Sequence, residues 1–195
     1  MGHLSFEFPP IVSSTLPNGL KLRMARMTRA PLFTVGVVLD AWDASLPDEL
    51  AGTAVLAGES LEGGTIRRSG TELADAMEGI GSGLAIRTGW DATSISMTCL
   101  AEKMEEGVSL LTEALLEPAF PPEEVDRFRT QRLAVIRQRQ MDPGSLADDA
   151  AAHHVYSDGS SYHRPVAGTP MSVQRMGPEQ IREFVTERYL SLIHI

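Results

Sequence analysis

The sequence predicts an α+β domain, a layer of helices packed against a largely antiparallel mixed sheet. Three observations predict it. Segments of period two and of period 3.6 alternate along the chain without the strand–helix–strand rhythm of a parallel sheet. The opening segment places Asn18-Gly19 between apolar runs, a strong hairpin signal. A chain of 195 residues, 43% hydrophobic and 22% charged, carries enough apolar surface for one core and too little charge to stay unfolded.

The elements follow in order. Strands over Ile11–Leu16 and Leu20–Arg26 flank the Pro17-Asn18-Gly19 turn. A third strand, LFTVGVVL over Leu32–Leu39, is so continuously apolar that burial on both faces is expected. After a polar loop, Pro47 and Asp48 open a helix that Gly63-Gly64 stop near Glu62. Ser69 or Thr71 caps a second helix over Ser69–Ile80, with Leu73, Ala76, Met77 and Ile80 on one face. Gly79, Gly81 and Gly83 then lead into strands near Leu84–Thr88 and Thr93–Leu100. This G-x-G-x-G follows a helix and precedes a strand, the reverse of a dinucleotide fingerprint, so it reads as a turn. Three further helices are expected over Ala101–Leu116, Glu123–Gln140 and Ser145–Val155, and a last one from Gly177-Pro178 to Tyr189. In the Ala101–Leu116 helix, Met104, Val108, Leu111 and Leu115 form the expected core stripe.

A formal net charge of −9 disfavours nucleic acid and anionic lipid as partners. The densest basic run, Arg127, Arg129, Arg132, Arg137 and Arg139, lies at helical spacing among Phe128, Leu133 and Ile136, and reads as the solvated face of an amphipathic helix. The single cysteine, Cys99, excludes an internal disulfide and a cysteine zinc cluster, and its alternating context predicts a buried strand thiol. MGHLSFEFPP lacks a basic segment followed by an apolar one, so no signal peptide is expected. A cytoplasmic, bacterial setting is the default, with the compartment itself open. No stretch approaches the roughly 18 to 20 apolar residues that span a bilayer.

The histidines and carboxylates offer little chemistry. On the helix ending at Glu62, the face that could hold two metal ligands and a base carries Val55, Gly58 and Glu59. One carboxylate does not make a zinc site. His153 and His154 are neighbours and point about 100° apart on a helix, so they do not easily share a metal. His163, in a later loop, could approach either. There is no nucleophile elbow and no G-x-x-x-x-G-K phosphate loop.

The order of segments resembles a known family. TLPNGLKLRM is similar to the opening hairpin of the insulinase/pitrilysin peptidases, the inverted zincins related to mitochondrial processing peptidase and the core proteins of the respiratory bc1 complex. FTVGVVLDAWDASLPDELAGTAVLAGESLEGGT resembles that family's strand, loop, glycine, H-x-x-E-H helix and closing Gly-Thr. The segment from Gly70 through PAFPPEEVDRFRTQRLAVIRQRQMDPGSLADDAA, then SYHRPVAGT and IREFVTERY, resembles the rest of the family's N-terminal domain. The likeness covers about 90% of the chain. It implies a single such domain over 1–189, truncated before its last strand, with 190–195 a truncation scar and a natural length of about twice this one.

The resemblance also identifies what is missing. Anchored on Gly52 and Gly64-Thr65, the family's first zinc histidine falls on Val55, its catalytic glutamate on Gly58 and its second histidine on Glu59. The third ligand falls at Val135 or Ile136, and a further acid near Phe128. No histidine lies between His3 and His153, so no shift of alignment restores the motif. No zinc and no other cofactor is therefore expected, and Val55 and Val135 are expected to pack across the vacated site. The resemblance implies a non-catalytic subunit that grips unfolded peptide beside an active zinc peptidase. An active metallopeptidase with a relocated site on Glu59, His153 or His163, and a scaffold in a membrane-associated complex, are the alternatives.

Overall fold

The computed structural model describes residues 9–27, 29–157 and 159–190. The readings that fall on 1–8 and 191–195 lie outside them. Strands β1 (Ile11–Thr15) and β2 (Lys21–Ala25) form an antiparallel hairpin, closed where Gly19 takes φ 85°. Every residue of both strands is exposed, Ile11 at 64% and Met24 at 49%, so the hairpin rests on its own ladder. A separate three-stranded antiparallel sheet has the order β3 (Leu32–Leu39), β5 (Thr93–Leu100), β4 (Ala85–Thr88).

The expectation that the third strand is buried on both faces is corrected by the register. Phe33, Val35 and Val37 pair with Cys99, Met97 and Ile95 on the covered face. Thr34, Gly36 and Val38 pair with Thr98, Ser96 and Ser94 on the open one, where Val38 is 74% exposed. Alternation across the pleat decides burial here, and only one face has helices over it. Thr34 and Thr98 hydrogen-bond across the open face at 2.9 Å. Cys99 is buried, as its context predicts.

The helices are α1 (Thr53–Ser60), α2 (Gly70–Gly79), α3 (Met104–Leu116), α4 (Pro122–Arg139), α5 (Pro143–Val155), the short α6 (Pro170–Gln174) and α7 (Pro178–Val185), which runs into a π turn over Thr186–Leu190. Ser69 caps α2 in a capping box with Glu72. The α3 core stripe is shifted from expectation. Met104 and Val108 are exposed at 43% and 38%, while Gly107, Leu110, Leu111, Ala114 and Leu115 are buried. Gly107 lets the helix approach β5 closely, since a Cβ there would meet the Met97 and Cys99 side chains. One continuous core, from Leu39 and Leu56 through Ile95, Phe120 and Phe128 to Tyr189, lies between the sheet and these helices. Phe120 holds φ 48°, a costly conformation for a bulky residue, while its ring is buried to 1%.

The turn that follows α1 is locked by α3. Gly64 takes φ 116° because the Arg68–Gly70 backbone leaves no room for a Cβ. The Thr65 hydroxyl donates to Glu113 Oε1 at 2.6 Å, Arg68 pairs with the other Glu113 oxygen, and Arg67 pairs with Glu117 at 2.5 Å. Burial raises the Glu113 carboxyl, but Thr65 and Arg68 outweigh it, and its pKa lies below the ordinary 4.5. A carboxylate with a depressed folded pKa adds stability above its unfolded pKa and loses it as pH falls through the folded value. Glu113→Gln is expected to cost about 1–3 kcal/mol at pH 7. The difference from wild type should shrink below about pH 4.5. Urea titrations at pH 7 and at acid pH measure both effects.

Candidate functional site

The expected single helix from Pro47 to Glu62 is broken into three pieces. Short 3-10 turns over Asp48–Leu50 and Leu61–Gly63 flank α1, and Gly52 before it takes φ 90°. The break has a tertiary cause. The Gly52 N–H donates to Asp43 Oδ1 at 2.7 Å, and a Cβ on Gly52 would lie 2.6 Å from the Ala167 carbonyl oxygen. Gly168, at φ 78°, faces the same approach from the other side, 2.3 Å from Ala51 O for an added Cβ. Arg164 clamps this junction. Its guanidinium pairs with Asp43 Oδ2 and donates to the Asp43 and Leu46 carbonyls at 3.0 and 2.7 Å. The Arg164 and Asp43 side chains are 5% and 0% exposed.

α1 packs against α4, α7 and β4. Gly58 sits where these surfaces close. A Cβ there would lie 3.0 Å from Ile86 Cγ2, 3.2 Å from Thr88 Oγ1 and 3.7 Å from the hydroxyl of the fully buried Tyr189. Desolvation pushes the Tyr189 phenol well above its ordinary pKa, so it stays neutral.

Glu59 turns toward α4 and forms an ion pair with Arg132, whose Nε also donates to Glu59 Oε2 at 3.1 Å. The two side chains are 33% and 14% exposed. Burial lowers the Arg132 pKa, so this is a desolvated cation whose counter-ion is Glu59. Two small cavities meet at the pair. One of about 360 Å³ includes Glu59, Glu62, Phe128, Arg132 and Val135 in its lining, and one of about 290 Å³ includes Val55, Glu59, Thr88, Arg132 and Ala167.

Val55, Glu59 and Val135 line the two cavities on the α1–α4 side, whereas Gly58 faces β4 and Tyr189. Ile136, the other candidate for the α4 position, points into the core at 5% exposure, as does Phe128 at 7%. Two expectations need correction. Val55 and Val135 do not seal the space between the helices, since Val55 is only half-buried and Val135 is 49% exposed. The ion pair occupies the middle instead. Nor is Arg132 part of a solvated face. It stands four residues from both Phe128 and Ile136, so helical spacing alone puts it on the buried stripe. Arg129 also turns inward, donating to the Met176 carbonyl at 2.8 Å.

The residues present do not fit a zinc ion. Such a site takes three protein donors, whereas Val55, Gly58 and Val135 offer none and Glu59 already faces a cation. His153 and His163 do approach, with ring centroids 5.8 Å apart, and His163 Nε2 lies 3.8 Å from Asp48 Oδ2. Among the described residues, no three His, Cys, Asp or Glu side chains converge in a metal-binding group. No helix among them is long and apolar enough to cross a membrane.

The geometry has counterparts. A family model described as "Insulinase (Peptidase family M16)" matches residues 24–169. The chain is 26% identical over 179 residues to a probable mitochondrial-processing peptidase subunit beta of Arabidopsis thaliana, covering 90% of this chain and 33% of that one. It is 24% identical over 176 residues to an uncharacterized zinc protease of Streptomyces coelicolor, covering 90% and 38%. The chain thus spans well under half the length of these relatives. The crystal structure of a peptidase M16 inactive domain from Pseudomonas fluorescens superposes with a TM-score of 0.84 at 21% identity, covering 90% of this chain and 43% of that one. A protease from Helicobacter pylori has the same TM-score at 18% identity, covering 94% and 44%, and both share the fold. Matched across most of its length, the chain belongs to the insulinase family, peptidase family M16.

Proposed function

We propose that this protein is a non-catalytic member of the family that grips unfolded peptide for an active zinc peptidase subunit. The observation that carries the reading is the Glu59–Arg132 ion pair, set between Val55 and Val135, the positions that the resemblance pairs with metal ligands. A zinc hydrolase needs donors for the ion and a base for its water. On this reading one donor position is neutralised by a guanidinium, two are valines, and the base position is a glycine pressed against Ile86. The apolar and charged walls that remain can still hold an extended peptide while the partner cleaves it.

Metal analysis and activity together test this. The purified chain incubated with zinc and desalted is expected to retain less than about a tenth of an equivalent. It is expected to cleave no peptide alone and to raise cleavage by a family member carrying an intact H-x-x-E-H. Stoichiometric zinc with cleavage by the chain alone would overturn the reading. The approach of His153 to His163 favours a relocated metal site as the second reading. Stoichiometric metal lost in Glu59→Gln or His163→Ala would establish it. Co-purification with a membrane complex in place of a peptidase would favour the scaffold role.

A further inference from the structure

Arginines that turn inward in this fold differ in how much of the guanidinium they use. Arg164 engages both terminal nitrogens, Nη1 with Asp43 and Nη2 with the Asp43 and Leu46 carbonyls. Arg129 does the same, Nη1 with the Met176 carbonyl and Nη2 with Asp126. Arg132 meets Glu59 along one side only, through Nε and Nη2. Its Nη1 has no acceptor among the described residues, yet it is not one of the buried, unpartnered atoms. It is therefore reachable from the cavities that Arg132 lines. A guanidinium is a planar fork of N–H donors, and the end formed by Nη1 and Nη2 is left for a second acceptor.

The cavity of about 290 Å³ gives that end its setting. Its walls are apolar on three sides, with Val55 from α1, Ile86 from β4, and Val166 and Ala167 from the loop after Arg164. Arg87, also in the lining, belongs to β4 at the edge of the sheet and has no ion pair among the described residues. The lining thus carries two cations, Arg87 and Arg132, against the single carboxylate of Glu59, in a chain whose net charge is −9. The volume lies at the small end of ligand sites, about 300 Å³, and suits one residue of a peptide.

A guanidinium with a free end beside apolar walls suits a carboxylate on a short stem. We propose that this cavity binds a carboxylate of the gripped peptide, held by Nη1 and Nη2 of Arg132 while the other side of the fork keeps Glu59. The proposal rests on the peptide-gripping reading and adds to it a preference for peptides that bring an acidic group. A peptide's C-terminus and an aspartate or glutamate side chain both supply that group, and the same donors serve either.

Fluorescence anisotropy with three peptides of one apolar sequence, labelled at the N-terminus, tests it. One has a free C-terminus, one is amidated, and one is amidated with a central glutamate. At least one of the two carboxylate peptides is expected to bind about tenfold more tightly than the peptide lacking both, the effect of one charge-assisted contact. Which of them does so names the source. In Glu59→Gln the new amide oxygen can still accept from Nε while the competing charge is gone, so the advantage should rise about another tenfold. A damaged fold would lose affinity rather than gain it. In the Glu59→Gln/Arg132→Gln double variant, which leaves no unpaired charge, the advantage should vanish. Equal affinity for all three peptides would overturn the carboxylate assignment while leaving peptide gripping intact. An advantage unchanged in Glu59→Gln, or persisting in the double variant, would place the carboxylate away from Arg132 and also overturn it. Failure of all three peptides to bind would remove the peptide-gripping reading and this proposal with it.

Discussion

Arg164→Ala is expected to lower the unfolding free energy by about 3–5 kcal/mol, the usual cost of stranding one partner of a buried ion pair. Asp43 is fully buried, and its carboxylate would keep only backbone donors, the N–H groups of Gly52 and Ala54. The Asp43 and Leu46 carbonyls would lose the guanidinium as well. The Gly52–Gly168 contact that sets the start of α1 depends on this clamp, so local opening there should accompany the loss. Urea unfolding of Arg164→Ala, Asp43→Asn and the double variant measures it. The double variant should recover part of the Arg164→Ala loss, because no unpaired charge then remains. A loss below about 1 kcal/mol would mean that water reaches Asp43 once the arginine is gone.

Gly58→Glu, the change that restores the base on the proposed reading, is expected to destabilise by about 3 kcal/mol or more. The Cβ alone already crowds Ile86 and Thr88, and overpacking of this kind costs about 1–3 kcal/mol. The carboxylate would add a desolvation cost beside the neutral, buried Tyr189. Gly58→Ala separates the two contributions. Its better helix propensity, about 0.5–1 kcal/mol, offsets the shift of Ile86, so a small net change is expected. Thermal unfolding of the two variants checks this, and a Gly58→Glu protein as stable as wild type would show that the surface over Gly58 opens readily. On the same proposed reading, Arg132 opposes a zinc site in a second way. With Val55→His, Glu59→His and Val135→Glu in place, its guanidinium would face the metal, so zinc uptake should rise when Arg132→Gln is added.

Much of this was legible in the residues. Asn18-Gly19, the Ser69 capping box and Pro122 at the head of α4 are local signals, and the structure follows them to within a residue or two. The near-continuous apolar run of β3 misled, because composition does not say which face of a pleat the helices cover. The interval between Val155 and Gly177, to which the sequence assigned no element, hid α6, a turn and a half of helix held by a Thr169–Ser172 capping box and too short for periodicity to register.

The sequence by itself determined the order of strands and helices, a property of residue type and spacing, and that Val55, Gly58 and Val135 carry no side-chain donor for a metal. Tertiary structure alone decided what surrounds those residues. Arg132 becomes a counter-ion for Glu59 only when α4 lies against α1, 73 residues away in the chain. Arg164 reaches Asp43 across 121 residues to break the helix at Gly52. Spacing along α4 could place Arg132 on the buried stripe, but which carboxylate it meets depends on how the layers pack, so the pair was invisible until the fold brought its two sides together.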